Sequence, residues 1–157
     1  MKPEEQELLK RLLIDQRVLA LSVVVEGEPV IGMLPFVVQA DYSAAIVHAS
    51  RLARHTAGLQ PDALCSLLIH KPDSPAADPL QMPRVMLTAR VQTLGKESDL
   101  YEQAHENYIT RFPESAPIFT LPDFNLFVLH FVNGRLVGGF ARAINITLEA
   151  LRSLSTR

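Results

Sequence analysis

Residues able to do chemistry crowd into the stretch 46–59, which reads Ile-Val-His-Ala-Ser-Arg-Leu-Ala-Arg-His-Thr-Ala-Gly-Leu. An apolar strand ends at Ser50, and a short helix of about 51–59 is predicted to follow at once, carrying Arg51, Arg54 and His55. Serine is a good N-cap, so free backbone N–H groups and the positive end of a helix dipole should gather there. Arg51 and His55 are four apart and would share a helix face. Hydroxyl, amides, guanidinium and imidazole together suit a phosphate. The same residues also fit a solvated helix with ordinary surface cations, and this segment alone leaves both readings open.

Three other places carry weaker signals. In Gly32-Met-Leu-Pro-Phe36, Pro35 cannot donate to a sheet ladder, which points to an edge or a bulge. Unpaired main-chain groups beside Leu34 and Phe36 would suit a flat heteroaromatic ligand with polar edges, or simply an edge strand. Arg84, Met86, Thr88 and Arg90 share one face of a strand by period two, a face that is either wet or lines an anionic site. Paired glycines in Val137-Gly-Gly-Phe140 suggest a bulge or a close approach, with Phe140 and Arg142 pointing to one side.

Several chemistries find no support. The five histidines show no helical metal-site spacing, and His105 and His130 read as core residues. Ser50, His55 and Asp41 lack the elbow that would present a nucleophilic serine. Neither a Gly-x-Gly-x-x-Gly run nor a P-loop is present. Cys65 is alone in an apolar run and reads as a buried thiol.

These residues must be positioned by a mainly β chain. A short amphipathic helix over 4–15 carries Leu8, Leu9, Leu12 and Leu13. Strands are predicted at 17–26, 29–39, 44–49, 63–70 and 84–93, with a hairpin turn at Gly27-Glu28 and a Pro-rich loop over 71–83. A helix over 98–112 follows, then strands 124–132 and 135–143 joined by a hairpin at Asn133-Gly134. Thr147 should cap a last helix of about 148–154. The sum is a six- to seven-stranded antiparallel barrel or sandwich in one domain, 1–157. Strands 18–25, 30–38 and 127–132 are apolar on both faces, so helices and a second copy of the chain should cover the outer one.

The chain has 157 residues, 48% hydrophobic and 20% charged, with a net charge of −2, an ordinary globular composition with nothing basic to bind nucleic acid. The acidic start, Lys2-Pro-Glu-Glu-Gln-Glu7, is unlike a leader, and no apolar run is long enough for a membrane span. A cytoplasmic protein is expected.

The order of motifs resembles the FMN-binding split β-barrel family of pyridoxamine 5′-phosphate oxidase, on the branch of the haem-utilisation proteins. The likeness runs from about Leu12 to Ala143 and rests on Met33–Phe36, Ser50–Thr56, Pro83–Arg90, Tyr108–Pro113, Leu121–Phe124 and Val137–Ala143. It implies a homodimer holding FMN at the subunit interface, with the ring on Leu34, Pro35 and Phe36. It further implies that Ser50, Arg51, His55 and Thr56 grip the phosphate, that Arg84 reaches the flavin, and that Phe140 and Arg142 lie near its edge. The function it implies is a flavin-dependent oxidoreductase acting on a small molecule that the sequence does not name. The alternatives are a non-enzymatic flavin or haem binder, or a barrel that keeps the dimer without a ligand. Lysine is frequent in the family where His55 stands and asparagine where Gly58 stands, so the grip here should depend on pH. The chain lacks both the Arg-Leu-x-Pro ending of the oxidases and the extra domain of haem-degrading relatives, so neither of those activities is expected.

Overall fold

The computed structural model describes residues 1–139 and 142–156. Seven antiparallel strands form one sheet: β1 (Val18–Val25), β2 (Glu28–Val38), β3 (Ala44–Ser50), β4 (Leu64–His70), β5 (Arg84–Leu94), β6 (Phe124–Gly139) and β7 (Arg142–Thr147). They lie in the order β3-β2-β1-β4-β5-β6-β7, and a second pairing of β3 with β6 closes six of them into a barrel. β7 hangs on the far end of β6, outside the closed ring. The antiparallel split barrel expected from the sequence is the fold observed.

Burial alternates along β1, the second half of β2, β4 and β5, as expected of strands with one face in a barrel core. Leu19, Leu21 and Val23 of β1 and Leu34, Phe36 and Val38 of β2 point into the barrel core. Helix α1 (Pro3–Asp15) adds Leu9, Leu12 and Leu13 to that core. The turn between β1 and β2 is Glu26-Gly27, one residue earlier than predicted, with φ of 52° and 79°. Positive φ at both positions matches the right-handed twist of the flanking strands.

Helix α2 (Tyr101–Arg111) packs Ala104 and Tyr108 on the outer face of β3 and β6, against Ala44, Ile46, Leu126 and Val128. That is why β3 is buried on both faces. The chain then runs through a 3₁₀ segment, Pro113–Thr120, that the sequence reading did not foresee. Thr147 caps α3 (Leu148–Arg152) as expected, its Oγ1 accepting from the Ala150 amide at 3.1 Å.

Two expectations fail. Asn133-Gly134 is not a hairpin, because β6 runs straight through it. Gly134 faces β5 so closely that a Cβ there would sit 2.6 Å from both Leu87 Cδ2 and the Met86 carbonyl oxygen. The glycine is required by that approach rather than by a turn. A bulge between Thr88 and Ala89 marks the place, and β6 continues to Gly139 (φ 153°), which pairs with Arg142 of β7. His130 is exposed rather than in the core, and Gln92 Oε1 lies 2.6 Å from its Nε2. His105 is half-buried, edge-on to Phe119.

Candidate functional site

The turn after β3 brings together some of the residues expected there. Residues 51–53 form a turn and Arg54–Gly58 a single 3₁₀ segment, so Arg51 and His55 do not share an α-helical face. Ser50 Oγ accepts from the Leu52 amide at 3.1 Å and donates to the Asp123 carboxylate at 2.6 Å. The Arg51 amide donates to the Asp123 carbonyl at 2.7 Å, and its guanidinium donates to the Pro122 carbonyl at 3.2 Å. Arg54 pairs with Glu28 at 2.7 Å. Asp123, which the sequence reading left without a role, therefore holds the hydroxyl chosen for an anion.

The His55 ring lies over Gly32, where a Cβ would meet ring atoms, and burial lowers its affinity for a proton. Its Nε2 and Thr56 Oγ1 are buried without a hydrogen-bond partner. A phosphate dianion needs converging donors and net positive charge. Here a carboxylate stands against Ser50 and burial disfavours the charged imidazole, so a phosphate at this turn would have to displace Asp123 from the Ser50 hydroxyl.

On β2 the expected ring platform divides between two faces. Leu34 and Phe36 are buried in the barrel, because their parity sends them inward. Only Pro35 and the main chain of this run belong to the outer face, so neither of those side chains can carry a ring from outside.

The outer face itself is the more suggestive surface. Reading across it, the registers align Met33, Ala20, Leu68 and Met86 in one row and Ile31, Ser22, Ser66 and Thr88 in the next. Small residues of β1 and β4 thus make a shallow floor between larger flanks. Ile31 is 76% exposed and Met33 71%. A concavity of about 350 Å³ opens here between Val18, Ile31, Met33, Leu68 and His70. His70 and Arg84 are direct cross-strand partners at its end. His70 Nδ1 lies 2.6 Å from the Lys71 carbonyl oxygen, and Arg84 donates to the Met82 carbonyl at 3.0 Å. The sequence signal for this floor was available in the alternation of Val18, Ala20 and Ser22 with Leu19, Leu21 and Val23.

The remaining expected residues lie elsewhere. Ser50 pairs with Phe124 at one end of β6, whereas Arg84 pairs with Val137 near the other. At about 3.3 Å per residue that is on the order of 40 Å of strand. Round the other side of the ring, β2, β1 and β4 stand between the strand that ends at Ser50 and the strand that begins at Arg84. Arg142 lines a separate concavity of about 390 Å³ with Lys2, Glu4, Glu5 and Leu8, where two carboxylates accompany it. Phe140 lies outside the described residues. Among the described residues no cluster of three metal-ligating side chains occurs.

No family model matches the chain, and no curated protein matches it. Solved structures do. A haem-binding protein of Mycobacterium smegmatis superposes with a TM-score of 0.84 at 25% identity, covering 98% of this chain and 62% of that one. The chain thus spans less than two thirds of that protein's length. HutZ of Vibrio cholerae, a haem storage protein, superposes with a TM-score of 0.71 at 25% identity, over 78% of this chain and 87% of that one. A Clostridium acetobutylicum protein of the pyridoxine phosphate oxidase family gives a TM-score of 0.72 at 12% identity, over 96% and 99% of the two chains, a likeness of fold alone.

Proposed function

We propose that this chain, a split β-barrel of the pyridoxamine 5′-phosphate oxidase-like kind on its haem-utilisation side, binds a flat ring compound with anionic edges, haem foremost, between two copies of itself. The observation that carries this is the outer face of β2, β1, β4 and β5. Its floor of Ala20, Ser22 and Ser66 is low enough for a planar ring to approach the sheet. Ile31, Met33 and Leu68 offer apolar contact to the ring, and Arg84 stands where an acidic substituent could be paired.

The homodimer belongs to the same reading. Val24, Ile31, Met33 and Leu64 are more than half exposed on the described surface, an apolar area of the kind that marks association. A second copy laid on this face would close the ring in a seam and lift those side chains out of water. Carriage or storage of the ring compound is the role taken in this proposal. No described helix is long and apolar enough to cross a membrane, and we place the protein's work in the cytoplasm as part of this proposal.

Titrating purified protein with iron(III) protoporphyrin IX tests the reading. Saturable uptake with a shifted Soret band, eluting with the protein, is expected. Pigment that separates completely from the protein on gel filtration would overturn it.

A second reading is an FMN-dependent oxidoreductase. The buried, unpartnered Thr56 Oγ1 and His55 Nε2 favour it, because such groups usually find a partner. It requires Asp123 to leave Ser50, and an FMN titration of the native protein with flavin fluorescence as readout tests it directly.

A further inference from the structure

The geometry points to His70 as an axial ligand for the iron of a haem bound on the outer face, an inference that rests on the binding reading above. Two of the five histidines, His70 and His130, are exposed and line a concavity, and Nε2 of His130 is already engaged by Gln92 Oε1 at 2.6 Å. His48 is buried and stacked on Phe119, and His55 has its Nε2 buried. His105 is half-buried on α2 beside acidic residues, and His130 sits among Asp62, Arg90 and Gln92.

The hydrogen bond of His70 fixes which nitrogen is available. Nδ1 lies 2.6 Å from the Lys71 carbonyl oxygen, and a carbonyl can only accept. Nδ1 is therefore the protonated nitrogen, and in the neutral ring Nε2 keeps its lone pair. A ring N–H donated to a backbone carbonyl is the usual support of a metal-bound histidine, because it sets both tautomer and orientation. The bond formed is a dative one from Nε2 to iron, with no change of oxidation state and no proton released from that nitrogen.

The surroundings match the rest of the ligand. Val18, Ile31, Met33 and Leu68 supply apolar walls beside His70. Arg84, its cross-strand partner, supplies a cation at the same end for a carboxylate on the porphyrin edge. Lys71 follows His70 directly and is exposed. An anionic metalloporphyrin thus meets an imidazole, an apolar bed and fixed positive charge on one stretch of surface.

The test compares native protein, His70→Ala and His130→Ala, each titrated with iron(III) protoporphyrin IX and with metal-free protoporphyrin IX. We expect His70→Ala to weaken the iron porphyrin at least about tenfold and to shift its Soret band, with added imidazole restoring the native spectrum. Metal-free porphyrin should bind both proteins alike, and His130→Ala should behave as native. If native and His70→Ala give the same iron-porphyrin spectrum and affinity, His70 is not the ligand although the binding reading stands. An equal loss of both porphyrins in His70→Ala assigns the residue to packing instead and also overturns the ligation. If the native protein takes up neither porphyrin, the binding reading and the ligation fall together.

Discussion

Ser50 Oγ and the Asp123 carboxylate are 2.6 Å apart, and that contact sets what the turn after β3 can accept. An amide in place of the acid removes the negative charge while keeping an acceptor for the hydroxyl. Asp123→Asn should therefore raise FMN affinity by about tenfold, or about 1.4 kcal/mol, read from quenching of flavin fluorescence. An unchanged dissociation constant would show that Asp123 is not the barrier. His48 shows the same dependence of charge on surroundings. It stacks on Phe119 with ring centroids 3.9 Å apart, and burial, with the nearby His105 second, lowers its pKa from 6.5 to about 4. Between those values the unfolded chain binds the proton and the folded chain does not, so stability is full above pH 6.5 and declines as pH falls toward 4. Denaturation midpoints across that window should fall for the native protein and fall less for His48→Gln.

At the scale of elements, the long strand β6 does work that its sequence disguises. Its first half closes the barrel on β3, its second half carries β7, and β5 runs beside most of its length. Gly134 lets it pass β5 closely, so Gly134→Ala must push both the Leu87 side chain and the Met86 carbonyl aside. A loss of about 1–3 kcal/mol in urea unfolding is expected, the usual cost of overpacking. Arg111 ties two elements together at the other end of the core. Its guanidinium donates to the Ile14 and Gln16 carbonyls at 2.7 and 2.6 Å, taking up acceptors at the C-terminal end of α1. Arg111→Ala should cost about 1.5–3 kcal/mol of stability by the same measurement, as expected for a bond to a charged donor.

For the whole molecule, the question is what lies against the outer face of β2, β1, β4 and β5. Helix α2 covers the second face of β3 and β6, and no described element does the same for Ile31 and Met33. Burying a side chain of that size is worth about 1.5–3 kcal/mol, so a few of them from each copy could hold a dimer. Sedimentation of the native protein should give a dimer, and Met33→Glu should shift it toward monomer without loss of the folded far-UV signal. A native protein that sediments as a monomer at every concentration tested would remove the dimer from the proposal.

The strands themselves were legible in the sequence. Where both faces are apolar, as in β3, alternation could not say which face turns inward, and only barrel closure and the packing of α2 decided it. Leu9, Leu12 and Leu13 on α1, the Thr147 cap and the buried thiol of Cys65 were legible for equally local reasons. Asn133-Gly134 was misread because a glycine needed for a turn and a glycine needed for close approach look alike until the neighbouring strand is in place. Leu34 and Phe36 share the inward parity of β2, so the core takes both side chains and a ligand outside the barrel meets neither. The pairing of Ser50 with Asp123 spans 73 residues, and that of His70 with Arg84 depends on the register of β4 against β5. Local sequence determined each strand, cap and buried stripe, because those follow from neighbours along the chain. Tertiary structure alone decided which charges meet, because barrel closure and strand register fix distances that no spacing in the sequence encodes.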